Sequence, residues 1–281
     1  MEIIRSPREM HSWSKRAREA ARTLALVPTM GFFHDGHLGL MRRGKEVADQ
    51  VVVSLFVNPI QFGPNEDLAR YPRAFERDRD LAEKAGVAVL FVPAVEDVYP
   101  AGFATRVEVD SLTATLCGAS RPGHFAGVTT VVTKLFNMVQ PDCAIFGEKD
   151  FQQLAVIRKM VADLNMPVSI VSLPIVREAD GLAMSSRNAY LSPEERIRAL
   201  SLSRSLRLAR EQVAAGEQDP IRLRETVVAE LRRAGADDID YVEIVDADTL
   251  APSAVISEKS LLALAVRIGR TRLIDNTLLV G

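Results

Sequence analysis

Short apolar runs recur through the first two thirds of the chain: Leu24 to Val27, Val51 to Val57, Val87 to Val92, Cys143 to Phe146 and Val168 to Leu173. They are apolar rather than alternating, as strands covered on both faces should be. Between them the spacing predicts helices over Leu38 to Ala48, Pro72 to Ala85, Gly127 to Val139 and Phe151 to Leu164. An earlier helix is announced by Ser6-Pro7-Arg8-Glu9, a capping box with proline at the first helical position. This alternation of strand and helix predicts an α/β fold, a Rossmann-like doubly wound parallel sheet.

The pattern changes after about Val176. Ser192-Pro193-Glu194-Glu195 is a second capping box, opening a helix to about Ala215, and Asp219-Pro220 opens another to about Ala234. Strand candidates follow at Tyr241 to Val245, Leu261 to Val266 and Thr271 to Ile274. Two helices and then three strands predict a smaller C-terminal α+β domain. The expected division is 1–175 for the Rossmann-like domain and 176–281 for the second.

Composition narrows the classes. The 281 residues are 47% hydrophobic and 26% charged, with a net charge of −2, so no global field draws the chain onto nucleic acid or an anionic membrane. An anion site must be local. No apolar run approaches the roughly 18 residues a membrane span needs, and the N-terminus lacks the apolar region of a signal peptide. Cys117 and Cys143 stand in no metal-ligand or redox spacing. A cytoplasmic enzyme is the expectation.

The candidate chemistry begins at Pro28-Thr29-Met30-Gly31-Phe32-Phe33-His34-Asp35-Gly36-His37, between a buried strand and a helix. In doubly wound sheets ligands bind outside the carboxyl ends of strands, where a helix N-terminus offers N–H groups to an anion. Gly31 and Gly36 permit close backbone approach, and His34 and His37 share a face if the turn is helical. Two imidazoles there suit a nucleotide's phosphates. The pair lacks the glutamate and spacing of an HExxH zinc site, and no GxSxG elbow supports a hydrolase triad. Gly147-Glu148-Lys149-Asp150 repeats the arrangement after the strand Cys143 to Phe146: a glycine for close approach, a lysine for phosphate, and an aspartate able to cap the helix.

The HxGH string resembles the signature of the nucleotidyltransferase superfamily, which includes class I aminoacyl-tRNA synthetases. The chain is similar in particular to the pantothenate synthetase (pantoate–β-alanine ligase) family. The resemblance extends in order through Phe56 to Phe62, Tyr71-Pro72-Arg73, Arg121-Pro122-Gly123-His124-Phe125-Ala126-Gly127-Val128, Phe146 to Gln153 and Arg177 to Asn188. It implies an ATP site lined by Met30, Gly31, Phe32, Phe33, His34, Asp35, Gly36 and His37, by Gly147, Glu148, Lys149 and Asp150, by Val176, and by Met184, Ser185, Ser186 and Arg187. It implies pantoate ligands at Gln61 and Gln153, and catalytic roles for His37, His34, Lys149 and Arg187. His37 matches the family's proton donor, although transition-state stabilisation is an equally open description. Met184 to Arg187 is similar to the superfamily's KMSKS-type loop, with Arg187 where a lysine often stands.

ATP is the implied co-substrate and Mg2+ its companion, with Asp78 the candidate metal ligand. Arg77 precedes it where some relatives carry a second acid, and Phe32-Phe33 is bulkier than the family's usual pair. The implied reaction condenses pantoate with β-alanine to give pantothenate, AMP and pyrophosphate through a pantoyl-adenylate. The implied partners are these small molecules, with neither nucleic acid nor membrane, and a second copy in a homodimer. The C-terminal domain is expected to act as a lid. The paired histidines alone also fit a nucleotidyltransferase that stops at its nucleotidyl product, or a non-catalytic ATP sensor.

Overall fold

In the computed structural model, residues 1–64 and 66–280 are described. Strands β1 (Glu2–Ile4), β2 (Leu24–Thr29), β3 (Gln50–Leu55), β4 (Val89–Phe91), β5 (Cys143–Gly147) and β6 (Ser169–Leu173) form one sheet in the order β1-β4-β3-β2-β5-β6. Every pairing in it is parallel. The helices are α1 (Pro7–Glu19), α2 (Asp35–Val47), α3 (Phe75–Lys84), α4 (Val95–Val98), α5 (Leu116–Ser120), α6 (His124–Val139), α7 (Phe151–Asp163), α8 (Pro193–Ala214) and α9 (Pro220–Arg233). A second sheet, β7 (Asp238–Asp246), β8 (Ser260–Ile268) and β9 (Thr271–Leu278), is antiparallel.

The α/β class with a small α+β part is the one the apolar runs predict. Each of the five runs forms a strand. β1 was not foreseen, because it is three residues long and only Ile4 of it is buried. The helix starts follow their chemistry. Ser192 Oγ accepts from Glu195 N at 3.2 Å while Glu195 Oε2 accepts from Ser192 N at 2.9 Å, so the second capping box is complete. At Ser6 only the hydroxyl contact to Glu9 N appears, at 3.5 Å.

The chain divides into two compact units. The first holds 1–109, 121–148 and 153–174; the second holds 110–120, 149–152 and the chain from Ile175 on. Two short segments thus group with the second unit in addition to the C-terminal stretch. The first unit's core includes Ala25, Val27, Val53, Leu90 and Ile145 from the strands, with Phe33 and Met41 from α2 and the loop before it. The second unit's core joins Leu202 and Leu206 of α8 and Leu223, Val227 and Leu231 of α9 to Leu262, Leu264 and Val266 of β8. No helix among the described residues is long and apolar enough to cross a membrane.

The strand order places the site. From β2 the chain steps outward through β3 to β4, and β5 then returns to the other flank of β2, pairing Ala25 with Cys143 and Leu26 with Ala144. The sheet's direction therefore reverses between β2 and β5, and the carboxyl ends of those two strands carry the HxGH loop and Gly147-Glu148. A crevice at such a reversal is where open α/β sheets bind ligands.

Candidate active site

In the first unit, β2 ends at Thr29 and the chain takes two successive left-handed residues, Gly31 at φ 85° and Phe32 at φ 53°. A side chain on Gly31 would bring its Cβ to 3.1 Å from Asp78 Oδ2. Phe32 adopts this conformation with a Cβ, at a cost of about 1–2 kcal/mol. The loop is secured by Asp78 of α3, which accepts from Phe32 N at 2.6 Å and from Phe33 N at 2.7 Å. Arg77 lies over the Phe32 ring, 5.2 Å from its centroid, and Phe33 is wholly buried. The bulky Phe32-Phe33 pair thus splits its work, one ring under a guanidinium and one in the core.

Asp78 therefore has a different task from the one the resemblance implied. It is 1% exposed, and each of its oxygens holds a loop amide. Burial raises its pKa, against the pull of the two amides and of Arg77. Among the described residues no group of three or more His, Cys, Asp or Glu side chains is placed to hold a metal ion. The donor set does not fit a protein-built magnesium site at Asp78.

The loop amides are also committed. Gly31 N donates to Thr29 Oγ1 at 3.3 Å, Phe32 and Phe33 to Asp78, and His34 N to His37 Nδ1 at 3.3 Å. The N-terminus of α2 at Asp35 and Gly36, whose amides have no partner within the helix, lies beside the two imidazoles. His34 is the N-cap residue and His37 the third residue of α2, and their ring centroids are 4.1 Å apart. Because His34 N donates to His37 Nδ1, that nitrogen is an acceptor and the ring proton of neutral His37 sits on Nε2.

Gln61 closes a single 3-10 turn, Pro59–Gln61, after β3. Its Nε2 lies 3.2 Å from Met30 Sδ, so the glutamine amide and the HxGH loop share one wall. Its Oε1 accepts from Asn58 Nδ2 at 3.0 Å. Asn58 is buried and fully used: Nδ2 also donates to Gly127 O at 3.0 Å, and Oδ1 accepts from Tyr99 Oη at 2.8 Å. Burial pushes the Tyr99 phenol up, which keeps it a neutral donor. Asn58 and Tyr99 lie outside the residues singled out from the sequence, although Asn58 stands inside the matched Phe56–Phe62 string. Of the adjacent glutamines, Gln152 is buried and spends its amide within the second unit on Leu112 O, Thr115 O and Cys117 N, whereas Gln153, half-buried in the first unit, is the one with a side chain to offer. Glu148 accepts from Ser172 Oγ at 2.8 Å.

In the second unit, Lys149 Nζ lies 3.9 Å from Asp150 Oδ2, and Lys149 O accepts from Asn276 Nδ2 at 2.9 Å. The stretch 176–184 is a hairpin: Met184 N donates to Val176 O at 3.0 Å, and Arg177 bridges Ala183. Ser185 then caps a 3-10 turn, Ser186–Tyr190, by accepting from Arg187 N at 3.2 Å. The rest of this motif is framework. Arg177 makes a two-pronged ion pair with Asp275 at 2.7 and 3.0 Å, and Asn188 Nδ2 donates to Glu178 Oε1 and Ala183 O.

Comparison with known proteins identifies the family. The family model described as pantoate-beta-alanine ligase matches residues 2–278. A pantothenate synthetase of Geobacter sulfurreducens is 60% identical over 279 residues, 99% of each chain. A crystal structure of pantothenate synthetase from Thermus thermophilus superposes with a TM-score of 0.95 at 47% identity, covering all of both chains. Another, a pantoate-beta-alanine ligase from Francisella tularensis complexed with beta-gamma ATP and beta-alanine, has a TM-score of 0.84 at 33% identity, covering 99% of this chain and 98% of its own. The chain belongs to the pantoate–β-alanine ligase family.

Proposed function

We propose that the crevice at the ends of β2 and β5 carries out the family's reaction, the ATP-dependent joining of pantoate to β-alanine through a pantoyl-adenylate. The observation that carries this reading is the seat of Gln61 against Met30, at 3.2 Å. It supports a site in which the amide of Gln61, held against the loop that carries His34 and His37, meets a small hydroxy acid close to the α-phosphorus of ATP.

On this reading His34, His37 and the N-terminus of α2 take the phosphates, with Gly147, Glu148, Lys149, Asp150 and Val176 completing the nucleotide site. Magnesium arrives as part of the ATP complex, coordinated by phosphate oxygens and water. Gln61 and Gln153 take pantoate, whose carboxylate attacks the α-phosphorus and expels pyrophosphate. His37 presents Nε2–H to the charge that develops on phosphate oxygen, which is electrostatic stabilisation by a neutral donor. On this reading the ring acts as a neutral donor that stabilises the charge without giving up its proton. The amine of β-alanine then attacks the adenylate carbonyl, the mixed anhydride breaks, and AMP leaves.

Met184, Ser185, Ser186 and Arg187 belong to the second unit, and we assign them to the leaving pyrophosphate, with that unit closing as a lid when ATP binds. Unchanged hydrogen-exchange protection of residues 184–187 on adding ATP and pantoate would remove the lid from this account. The reaction itself is tested by exchange of labelled pyrophosphate into ATP. Exchange should require pantoate, and net AMP release should require both pantoate and β-alanine. Exchange without pantoate, or ATP binding without turnover, would contradict it.

A further inference from the structure

We infer that Glu66, Arg121 and His124 form a positioning relay that sets Gln61 for its substrate, so that the Arg121–His124 string is a specificity element for the small hydroxy acid. The inference rests on the reading of Gln61 as a pantoate ligand.

The relay is defined by proton bookkeeping. Arg121 donates Nε to Glu66 Oε1 and Nη2 to Glu66 Oε2, both at 2.6 Å, a planar fork on a carboxylate. Its remaining terminal nitrogen, Nη1, lies 2.9 Å from His124 Nε2. A guanidinium only donates, so Nε2 accepts and the imidazole carries its proton on Nδ1. Nδ1 lies 2.9 Å from the backbone carbonyl of Gln61, and that contact is therefore a donation from the ring. Each partner's state is forced by the one before it: an ionised Glu66 orients Arg121, Arg121 selects the tautomer of His124, and His124 holds the carbonyl of Gln61.

Gln61 is thereby fixed at both ends. Its carbonyl is held mainly by His124, with a longer donation from Arg121 Nη2 at 3.5 Å, and its Oε1 by Asn58, and Gly127 of α6 lies against its backbone so closely that a Cβ there would stand 2.6 Å from Gln61 Cα. Nε2 is left as the donor end, with Met30 Sδ 3.2 Å away. The side chains of Arg121 and Glu66 are only partly buried, at 17% and 25% exposed, so their pairing is not set by the apolar core. A group held by bonded neighbours loses less freedom on binding, which is how positioning is converted into affinity and selectivity.

The pair His124→Asn and His124→Gln tests this. Asparagine replaces the Nδ1 donor to Gln61 and loses the arginine contact, whereas glutamine reaches the Nε2 position and loses the donor. KM for pantoate and for ATP would be measured by pyrophosphate exchange, alone and in a Gln61→Ala background, with thermal unfolding of each variant. We expect His124→Gln to raise KM for pantoate about tenfold, the loss of one hydrogen bond, and His124→Asn to stay within about threefold of the parent. KM for ATP should be unchanged in both. The two substitutions should also be non-additive, His124→Gln having no further effect once the Gln61 side chain is gone. Glu66→Gln, which keeps shape but weakens the fork, should move KM for pantoate in the same direction if the His124 variants do not fold. Equal losses in the asparagine and glutamine variants, or additivity with Gln61→Ala, would overturn the relay. Unchanged KM for pantoate in Gln61→Ala itself would instead overturn the ligand reading beneath it.

Discussion

Asp78 and Phe33 are 45 positions apart in the chain, yet the Asp78 carboxylate accepts the Phe33 amide at 2.7 Å, and its other oxygen takes Phe32. The first turn of α3 thus shapes the loop that carries both candidate histidines. This explains how Phe32 keeps a left-handed backbone: two charge-assisted hydrogen bonds and the Arg77 stacking contact offset the strain.

Replacing that clamp should be felt in the fold and in ATP binding together. Asp78→Ala leaves two inward-facing amides without an acceptor, and we expect it to cost about 1–3 kcal/mol per amide. Urea denaturation measures the first effect and KM for ATP the second. The magnesium concentration giving half-maximal rate, taken at saturating ATP, should stay at the parent value, because Asp78 serves the loop and not the metal. A large rightward shift in magnesium dependence without loss of stability would reverse this assignment.

His37→Ala should separate chemistry from folding. The ring is half-exposed and accepts from an amide only three positions away, so the melting temperature should move little. Adenylation, followed as pyrophosphate exchange, should fall about 10²–10³-fold, the size of losing one preorganised donor. His37→Gln, whose amide can donate from near the Nε2 position, should recover part of it. Near-parent exchange in the alanine variant would show that the charge is stabilised elsewhere.

Gly127→Ala is a packing test of the pantoate wall. The added Cβ would meet Ile60 O at 2.5 Å and Gln61 N at 2.7 Å, backbone atoms that cannot swing aside. The 3-10 turn Pro59–Gln61 must shift, at about 1–3 kcal/mol of stability. KM for pantoate should rise more than KM for ATP, since the phosphate loop is anchored separately by Asp78. Equal changes in both constants would place Gln61 away from pantoate.

Acid should weaken the Glu66–Arg121 pair in a defined window. Burial opposes ionisation of Glu66, but the hydrogen bonds and charge of Arg121 outweigh it and hold the carboxyl below its ordinary value of 4.5. A depressed pKa in the folded state favours the ionised form there, so this contribution is whole above the ordinary value and is lost as pH falls through the depressed one. Denaturant midpoints taken from neutral pH downward should show a steeper acid decline in the parent than in Glu66→Gln. Parallel declines would mean the pair adds nothing to stability.

Much of the molecule was legible in the chain. Apolar runs marked all but one strand of the parallel sheet: β2 to β5 are largely buried and need apolar side chains in every direction, whereas β6 is only partly buried and carries Ser169 and Ser172. Ser192 and Asp219 marked helix starts, because capping is chemistry between residues three or fewer positions apart. The HxGH and Gly147-Glu148 strings could be placed at strand ends for the same local reason.

What only the tertiary structure decided is partnership. No local pattern says that β5 returns beside β2, yet that step makes the two strings neighbours. Asp78 reads as a metal ligand until the fold brings it under two amides 45 and 46 positions away. Asn58 and His124 stay unremarkable until Gly127 O and Gln61 O arrive at hydrogen-bond distance, 69 and 63 positions off. Periodicity and capping are written in neighbouring residues, whereas a polar group's function follows from whichever donor or acceptor the packed core delivers to it, and hydrogen bonds reward only groups that arrive within about 3 Å.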